Sequence, residues 1–359
     1  MKAAVCRQFG EPLSIEEIDV SPPGPGEISV KMAACAICHS DIMYIDGAWG
    51  GVLPAVYGHE AAGKVEAVGA GVDTISVGDH VVVTLIRSCG HCHYCSQGHV
   101  VACDTQFPLD AKTPLRTVNG DPITHGLRTG AFAEHVVVHS SQAVAIDPGI
   151  PFTSASLLAC GVITGFGAVT NTANISAGSS VVVIGTGGVG LNSVQGAAIA
   201  GAATIIAVDI SDSKLEVART FGATHAININ SGNVRDHVRA LTNGRGADYV
   251  FVTVGAKSAI DSSYELMGRT GSVILVGMPA DGVVSQFDPV NLAGESQRIL
   301  GSKMGSSRVP VDVPYLANLY QQGRLKLDEL ISGTYPLEDI NEAIVSVKQG
   351  DALRNVIVF

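Results

Sequence analysis

Charge and aromatic rings are scarce in this chain. Only 15% of its 359 residues are Asp, Glu, Lys or Arg, and 5% are aromatic, with a single Trp. Against 46% hydrophobic residues, so little charge excludes a disordered chain. The 22 Lys and Arg are outnumbered by 33 Asp and Glu, a net charge of −11, so no nucleic-acid partner is expected. The opening MKAAVCRQFGEPLS has no apolar core, and no signal peptide is expected. The longest low-charge stretch, Ser179–Val208, holds six Gly together with Asn192 and Gln195. It divides into two β-rich runs around a small-residue segment, a strand–helix–strand unit rather than a membrane span. No membrane partner is expected. Eight Cys are too few for a disulfide scaffold, and a reducing cytoplasm is the expected compartment.

What the chain does have is glycine and short β-branched runs. A length prior of roughly 150 residues per domain predicts two domains. The first 150 residues read as short strands with turn punctuation, among them Ile28–Ala33, Ala62–Val68 and His80–Leu85. From about Cys160 the texture changes. Val181–Ile184, Thr204–Asp209, Tyr249–Val254 and Val273–Val276 are continuous apolar runs separated by helical patterns such as Asp212–Phe221, with Asp212 as its expected cap. Alternating strands and helices predict a doubly wound parallel sheet. The tail reads as helices near Val313–Gln322 and Leu337–Lys348, then a strand Asn355–Phe359. The expected fold class is α/β, with a β-rich domain of residues 1–160 and 298–359 and a dinucleotide-type domain of 161–297.

One motif sits where a strand should end. Ser180–Ile184 runs into Gly185-Thr-Gly187-Gly-Val-Gly190. In such a loop Gly185 permits the tight turn, Gly187 lets the backbone approach a pyrophosphate, and Gly190 allows close helix–strand packing. The helix start then offers free N–H donors. Nineteen residues past Gly190, the second strand ends in Asp209, which can accept bonds from a ribose and repels a 2′-phosphate. NAD is therefore expected over NADP. A glycine loop that merely packs is the alternative.

The cysteines are clustered. Cys89, Cys92, Cys95 and Cys103 supply four thiols within fifteen residues. Four sulfurs complete a tetrahedral zinc and leave no open position, which makes such a site structural. An iron–sulfur cluster also takes four Cys, and paired disulfides are a further alternative. Three more candidate ligands lie far apart: Cys38, His59 and Cys160. Two sulfurs and one imidazole would leave a zinc position open for substrate. Spacing alone does not join them, since a Cys in an apolar run is often a core thiol.

Taken in order, these motifs resemble the zinc-dependent medium-chain alcohol dehydrogenase family over essentially the whole chain. The resemblance rests on Gly58-His59-Glu60-Ala-Ala-Gly63, the four-cysteine segment (a lobe of about residues 88–104), Cys160-Gly-x-x-Thr164-Gly, Gly185–Gly190, Asp209 and Arg354. It implies a GroES-like catalytic domain plus a Rossmann domain, with the active site in the cleft between them. It implies two zinc ions per chain, a catalytic one on Cys38, His59 and Cys160 and a structural one on Cys89, Cys92, Cys95 and Cys103. Glu60 would lie beside the catalytic metal, Asp41 would orient His59, and Ser40 would take the alcohol proton. For NAD(H), the implied contacts are His39, Thr164, Gly185, Gly187, Gly188, Val189, Gly190, Asp209, Lys214, Val254 and Arg354. The implied substrate pocket is Trp49, Leu85, Met278 and Lys303.

The implied activity is an NAD-dependent oxidoreductase interconverting a primary or secondary alcohol with its aldehyde or ketone by hydride transfer from a zinc-bound alkoxide. One departure is Met43, where family members with a full proton relay carry histidine. Trp49 and Leu85 favour an apolar or aromatic alcohol, and Lys303 suggests a polar or anionic substrate tail. A thiol-dependent formaldehyde dehydrogenase of the glutathione or mycothiol type is the alternative enzyme, and a non-catalytic dinucleotide-binding protein the alternative of another kind. Family habit implies a homodimer or homotetramer. Cys6 and Cys35 are left to pack as small apolar residues.

Overall fold

The computed structural model describes residues 1–350 and 352–359. The chain forms two units, Met1–Gly161 with Arg308–Phe359, and Val162–Ser307. In the second unit the β-branched runs become β1 (Ser180–Ile184), β2 (Thr204–Asp209), β3 (His225–Asn228), β4 (Ala247–Val252), β5 (Met267–Leu275) and β6 (Arg298–Gly301). They pair in the order β3-β2-β1-β4-β5-β6, every pair parallel. Parallel neighbours need crossovers, which the helices Gly188–Ile199, Asp212–Thr220, Val234–Leu241 and Lys257–Ser263 help to supply. Covered on both faces, β1 is buried at every position, which is why its sequence is a continuous apolar run and not an alternating one. The strand order reverses between β1 and β4, and in such sheets the ligand crevice lies at the carboxyl ends of the strands there.

Several boundaries differ from the sequence reading, the strand expected at Val273–Val276 starting already at Met267, and three of the differences have a visible cause. Ser211, not Asp212, caps the helix Asp212–Thr220, its hydroxyl accepting the Lys214 N–H at 3.4 Å. Strand β4 stops at Val252 because Thr253 turns its hydroxyl onto the Gly185 carbonyl at 2.8 Å. The chain leaves the second unit at Ser307 rather than at residue 297, because β6 extends the sheet and the turn Met304–Ser306 packs on the helix Ile163–Gly167.

The first unit is β-rich and mostly antiparallel, with two parallel pairs, Ile331–Pro336 on Arg354–Val358 and Ala55–Val56 on Pro122–His125. Lys2–Cys6, Ser14–Val20, Leu115–Thr117, Pro122–His125 and Ala55–Val56 close a small barrel. A second sheet runs Ala143–Ala145, His80–Val83, Glu60–Val68, Glu27–Ala36, Arg354–Val358 and Ile331–Pro336, with His135–His139 also pairing with Glu27–Ala36. Its core is continuous from Ala3 through Ile28, Val81 and Phe132 to Ile357, each 0% exposed. Cys6 and Cys35 are part of it, small apolar residues as expected. One helical run, Phe152–Ala173, which passes from this unit into the other, is apolar and long enough to cross a membrane by composition, and most of it is buried inside the protein.

A buried cation braces this unit. The Arg87 side chain is fully buried and reaches Gln142 Oε1 at 2.7 Å, Asp110 Oδ1 at 2.9 Å and the Arg128 carbonyl at 3.2 Å. Beside it, burial and the Arg87 charge hold the His125 imidazole down to about 4, while its Nε2 bonds the Thr129 carbonyl at 2.6 Å. The unfolded chain would protonate His125 near its ordinary 6.5, so stability present above that pH is lost as pH falls toward 4. Acid denaturation midpoints should show a loss of up to about 3 kcal/mol across this window. His125→Gln, which keeps a donor for Thr129, should flatten that limb. An unchanged acid limb in the variant would refute the assignment.

Candidate metal and dinucleotide sites

Strand register builds the first cluster. Pairing of Glu27–Ala36 with Glu60–Val68 sets Ala36 opposite Glu60, and pairing with Arg354–Val358 sets Ala36 opposite Val356. One end of the sheet thus gathers Cys38, just past the first strand, His59 and Glu60 at the start of the second, and Arg354 at the start of the third. Cys160 arrives from elsewhere. The helix Phe152–Leu157 packs on the strands Glu27–Ala36 and Glu60–Val68 and continues into a π-turn, Leu158–Val162. A π-turn inserts one extra residue per turn and re-aims the side chains it carries. The ligand atoms of Cys38, His59, Glu60 and Cys160 all lie within 4.8 Å of one another, and all four residues are buried.

Asp41 ties this cluster together. Fully buried, its Oδ1 accepts from His59 Nδ1 at 2.9 Å and from Gly58 N at 2.9 Å, and its Oδ2 accepts from Cys38 N at 3.1 Å. A carboxylate only accepts, so Nδ1 carries the imidazole proton and Nε2 presents its lone pair. Gly58 is required beside it: its φ is +93° and a Cβ there would fall 2.7 Å from the Phe132 nitrogen. Among the described residues, His59 Nε2 and both Glu60 oxygens are buried without a hydrogen-bond partner, and Arg354 comes no nearer to Glu60 than 3.7 Å. Burial pushes the Glu60 carboxyl up to about 8 against the pull of Arg354. Each orphaned buried acceptor costs about 1–3 kcal/mol, and one cation satisfies them together. Two thiols, an imidazole nitrogen and a flanking carboxylate form a donor set that fits zinc and leaves room for a further ligand.

The second cluster is local. Cys89, Cys92, Cys95 and Cys103 also place their sulfurs within 4.8 Å of one another. Cys92 and Cys103 sulfurs are 3.9 Å apart. Backbone N–H groups point at the sulfurs, from His91 and Cys92 to Cys89 at 3.4 and 3.2 Å and from Cys95 to Cys92 at 3.5 Å. The Thr105 hydroxyl, with the His91 and Cys92 N–H groups, pulls the Cys89 thiol down to about 5. Donors of this kind favour thiolates, the form that binds metal. No disulfide forms among the described residues.

In the second unit, the glycine loop follows β1 as expected. Gly185 has φ +91°, and a Cβ on Gly190 would meet the Gly185 oxygen at 1.8 Å. A Cβ on Gly187 would meet no described atom within 4 Å, so the backbone faces open space there, as close approach of a pyrophosphate requires. The helix Gly188–Ile199 begins at this loop with no side chain capping its first turn, and its leading N–H groups point at the loop as an anion site requires. Val254 closes on Gly185 from the other side. Asp209 Oδ2 accepts the Thr186 N–H at 2.7 Å and its hydroxyl at 2.9 Å, while Lys214 stands half-buried one turn into the next helix.

The remaining expected residues divide between the units. His39 is exposed and Ser40 half-buried, on the first turn of the helix His39–Ile45. Trp49 packs its ring edge-on to Tyr44 at 5.3 Å, and Leu85 is half-buried; both belong to the first unit. Met278 (63% exposed) and Lys303 (exposed) belong to the second. Thr164, buried, donates to the Met304 sulfur at 3.7 Å. Sequence reasoning missed the π-turn at Cys160, the Thr186–Asp209 contact and the left-handed turn at Met304–Ser306, where φ is +50°, +63° and +50°. The Thr in Gly-Thr-Gly was a visible signal for the second; nothing in the residue types announces the other two.

Comparison with known proteins agrees with this geometry. Residues 24–148 match the alcohol dehydrogenase GroES-like domain and residues 188–321 the zinc-binding dehydrogenase domain. An Arabidopsis thaliana protein, alcohol dehydrogenase-like 6, is 38% identical over 99% of this chain and 94% of its own. An alcohol dehydrogenase zinc-binding domain protein from Burkholderia ambifaria superposes with a TM-score of 0.95 at 37% identity, over 100% of this chain and 98% of that one. Benzyl alcohol dehydrogenase from Acinetobacter calcoaceticus superposes with a TM-score of 0.93 at 31% identity, over 100% and 99%. With both domain matches in sequence and relatives alike from end to end, this chain belongs to the zinc-dependent medium-chain alcohol dehydrogenase family.

Proposed function

We propose that this protein is an NAD-dependent dehydrogenase of apolar or aromatic primary or secondary alcohols, working reversibly on the matching aldehydes or ketones. The observation that carries the reading is the buried constellation of Cys38, His59, Glu60 and Cys160, with the His59 Nε2 lone pair and both Glu60 oxygens left without partners. Cys38, His59 and Cys160 would hold a catalytic zinc, and Cys89, Cys92, Cys95 and Cys103 a structural one. When bound, zinc supplies a Lewis acid that makes a hydroxyl far more acidic, and NAD supplies the hydride acceptor.

The balance is alcohol plus NAD⁺ giving carbonyl compound, NADH and a proton. Ser40, two residues past Cys38, receives the alcohol proton at its hydroxyl. With Met43 in place of a histidine, the proton passes onward to solvent without an imidazole one turn along. Asp41 fixes the His59 ring, so its Nε2 direction is set before any ligand arrives. Gly185–Gly190 and the helix N-terminus take the pyrophosphate, and Asp209 takes the adenosine ribose while repelling a 2′-phosphate. Trp49, held by Tyr44, and Leu85 give substrate an apolar wall. Benzyl alcohol dehydrogenase is among the similar structures, which supports an aromatic substrate. Six cysteines gathered in two clusters of metal-ligand type suit a reducing, cytoplasmic setting.

The experiment is absorbance at 340 nm with benzyl alcohol, aliphatic alcohols and formaldehyde, each with NAD or NADP and with or without glutathione or mycothiol. Thiol-independent turnover of benzyl alcohol with NAD is expected. Turnover only of formaldehyde with thiol would select the other enzyme, and no turnover at all would select a dinucleotide binder.

We further infer a homodimer or homotetramer. Strand β6 is the edge of its sheet, and the segment leading to it exposes three large apolar side chains, Val284 (70%), Phe287 (49%) and Val290 (77%), which an interface would cover. Light scattering on the purified chain should give two or four protomers; a monomer at micromolar concentration overturns this.

A further inference from the structure

The Thr186 hydroxyl is not accounted for by the loop's phosphate-binding work. Thr186 is fully buried between Gly185 and Gly187. Its Oγ1 donates to Asp209 Oδ2 at 2.9 Å, and its own N–H reaches the same oxygen at 2.7 Å. The other oxygen, Oδ1, accepts the N–H groups of Ile210 at 2.8 Å and Ser211 at 3.0 Å. Four donors therefore grip the carboxylate, two on each oxygen, and together they fix its plane. Three of them are backbone N–H groups, available whatever residue stands there. The hydroxyl alone is a choice of side chain, and an Ala or Leu in its place would leave the backbone bonds intact.

We propose that Thr186 is a positioning residue for dinucleotide selection: its hydroxyl locks Asp209 in the orientation that accepts a free ribose diol and faces a 2′-phosphate with fixed negative charge. This rests on the NAD reading above. A carboxylate free to swing could turn away from a 2′-phosphate at small cost, and could equally miss the ribose hydroxyls. Locked, it discriminates in both directions, because the orientation is settled before the cofactor binds. The same grip passes to Ser211, whose N–H is held by Asp209 while its hydroxyl caps the helix carrying Lys214.

The test is fluorescence titration of the metal-loaded protein with NADH and with NADPH, which reads binding and not turnover. Thr186→Val keeps the shape and removes the donor; Thr186→Ser keeps the donor. Thr186→Val should weaken NADH about five- to tenfold, the size of one ordinary net hydrogen bond, because the three backbone donors remain. NADPH binding should hold or tighten, since the freed carboxylate can turn from the 2′-phosphate, so the selectivity ratio falls, and Thr186→Ser should restore it. A merely structural role would shift both Kd values together or lower Tm with the ratio unchanged, and either result overturns the proposal. Asp209→Ala separates the two layers. If it leaves the NADH to NADPH ratio of the wild type unaltered, the ribose reading of Asp209 fails and the role of Thr186 falls with it. If Asp209→Ala collapses the ratio and Thr186→Val does not, only the role of Thr186 is lost.

Discussion

Replacing Cys160 by Ala should lower kcat/KM for alcohol oxidation by at least about a thousandfold, a barrier increase of about 4 kcal/mol. Cys160 supplies one of two sulfurs in a cluster with no spare thiol: Cys35 sits in the apolar core, not among the ligand atoms. With one sulfur gone, His59 and Cys38 would hold a metal at only two points, and the Lewis acid proposed above would be lost or misplaced. The fold should tolerate the change. Removing a sulfur from a buried site leaves a small cavity that costs about 1–2 kcal/mol, and Asp41 still joins Cys38 to His59. The measurement is paired: metal content should fall by one ion per chain while circular dichroism stays that of the wild type. Activity within tenfold of wild type would remove Cys160 from the catalytic machinery.

Cys103→Ser should have an equally large effect of a different kind. The segment holding Cys89, Cys92, Cys95 and Cys103 has almost no core of its own. Cys95 is its one buried cysteine, and its helix is four residues long, far below the length at which a helix stands alone. Folding of such a lobe is metal binding, with about 10 kcal/mol or more of local stabilisation at stake. The variant should lose one zinc, and limited proteolysis should cut between residues 89 and 103 at least about a hundredfold faster. The catalytic zinc should remain, because the lobe shares no ligand with it. Wild-type protease resistance would mean that something other than metal holds the lobe together.

The sequence made some of this plain and hid the rest for physical reasons. Strands buried on both faces read as unbroken Val and Ile runs, so β1 and β2 were legible to within one residue. The glycine loop was legible because φ +91° at Gly185 and a 1.8 Å approach at Gly190 exclude other residues. The lobe cysteines were legible because all four ligands are local. Cys38, His59 and Cys160 were not, since strand register and a π-turn bring them together, and neither leaves a mark in residue types; only the family resemblance joined them. Asp212 looked like a cap because any Asp before a helical run does, but the carboxylate of Asp209 orders Ser211 first. The late return of the chain at Arg308 was hidden in the same way, since three residues at positive φ make a turn that no composition announces.

The most direct test of the central claim is zinc-edge X-ray absorption on the native chain, quantified against protein. Two donor clusters, one of four sulfurs and one of two sulfurs with an imidazole, predict two zinc ions per chain. Their average shell should hold three sulfurs at about 2.3 Å, with nitrogen or oxygen at about 2.0–2.1 Å. One zinc per chain in a pure four-sulfur shell would contradict the account, because the buried site of Cys38, His59 and Cys160 would then hold no metal.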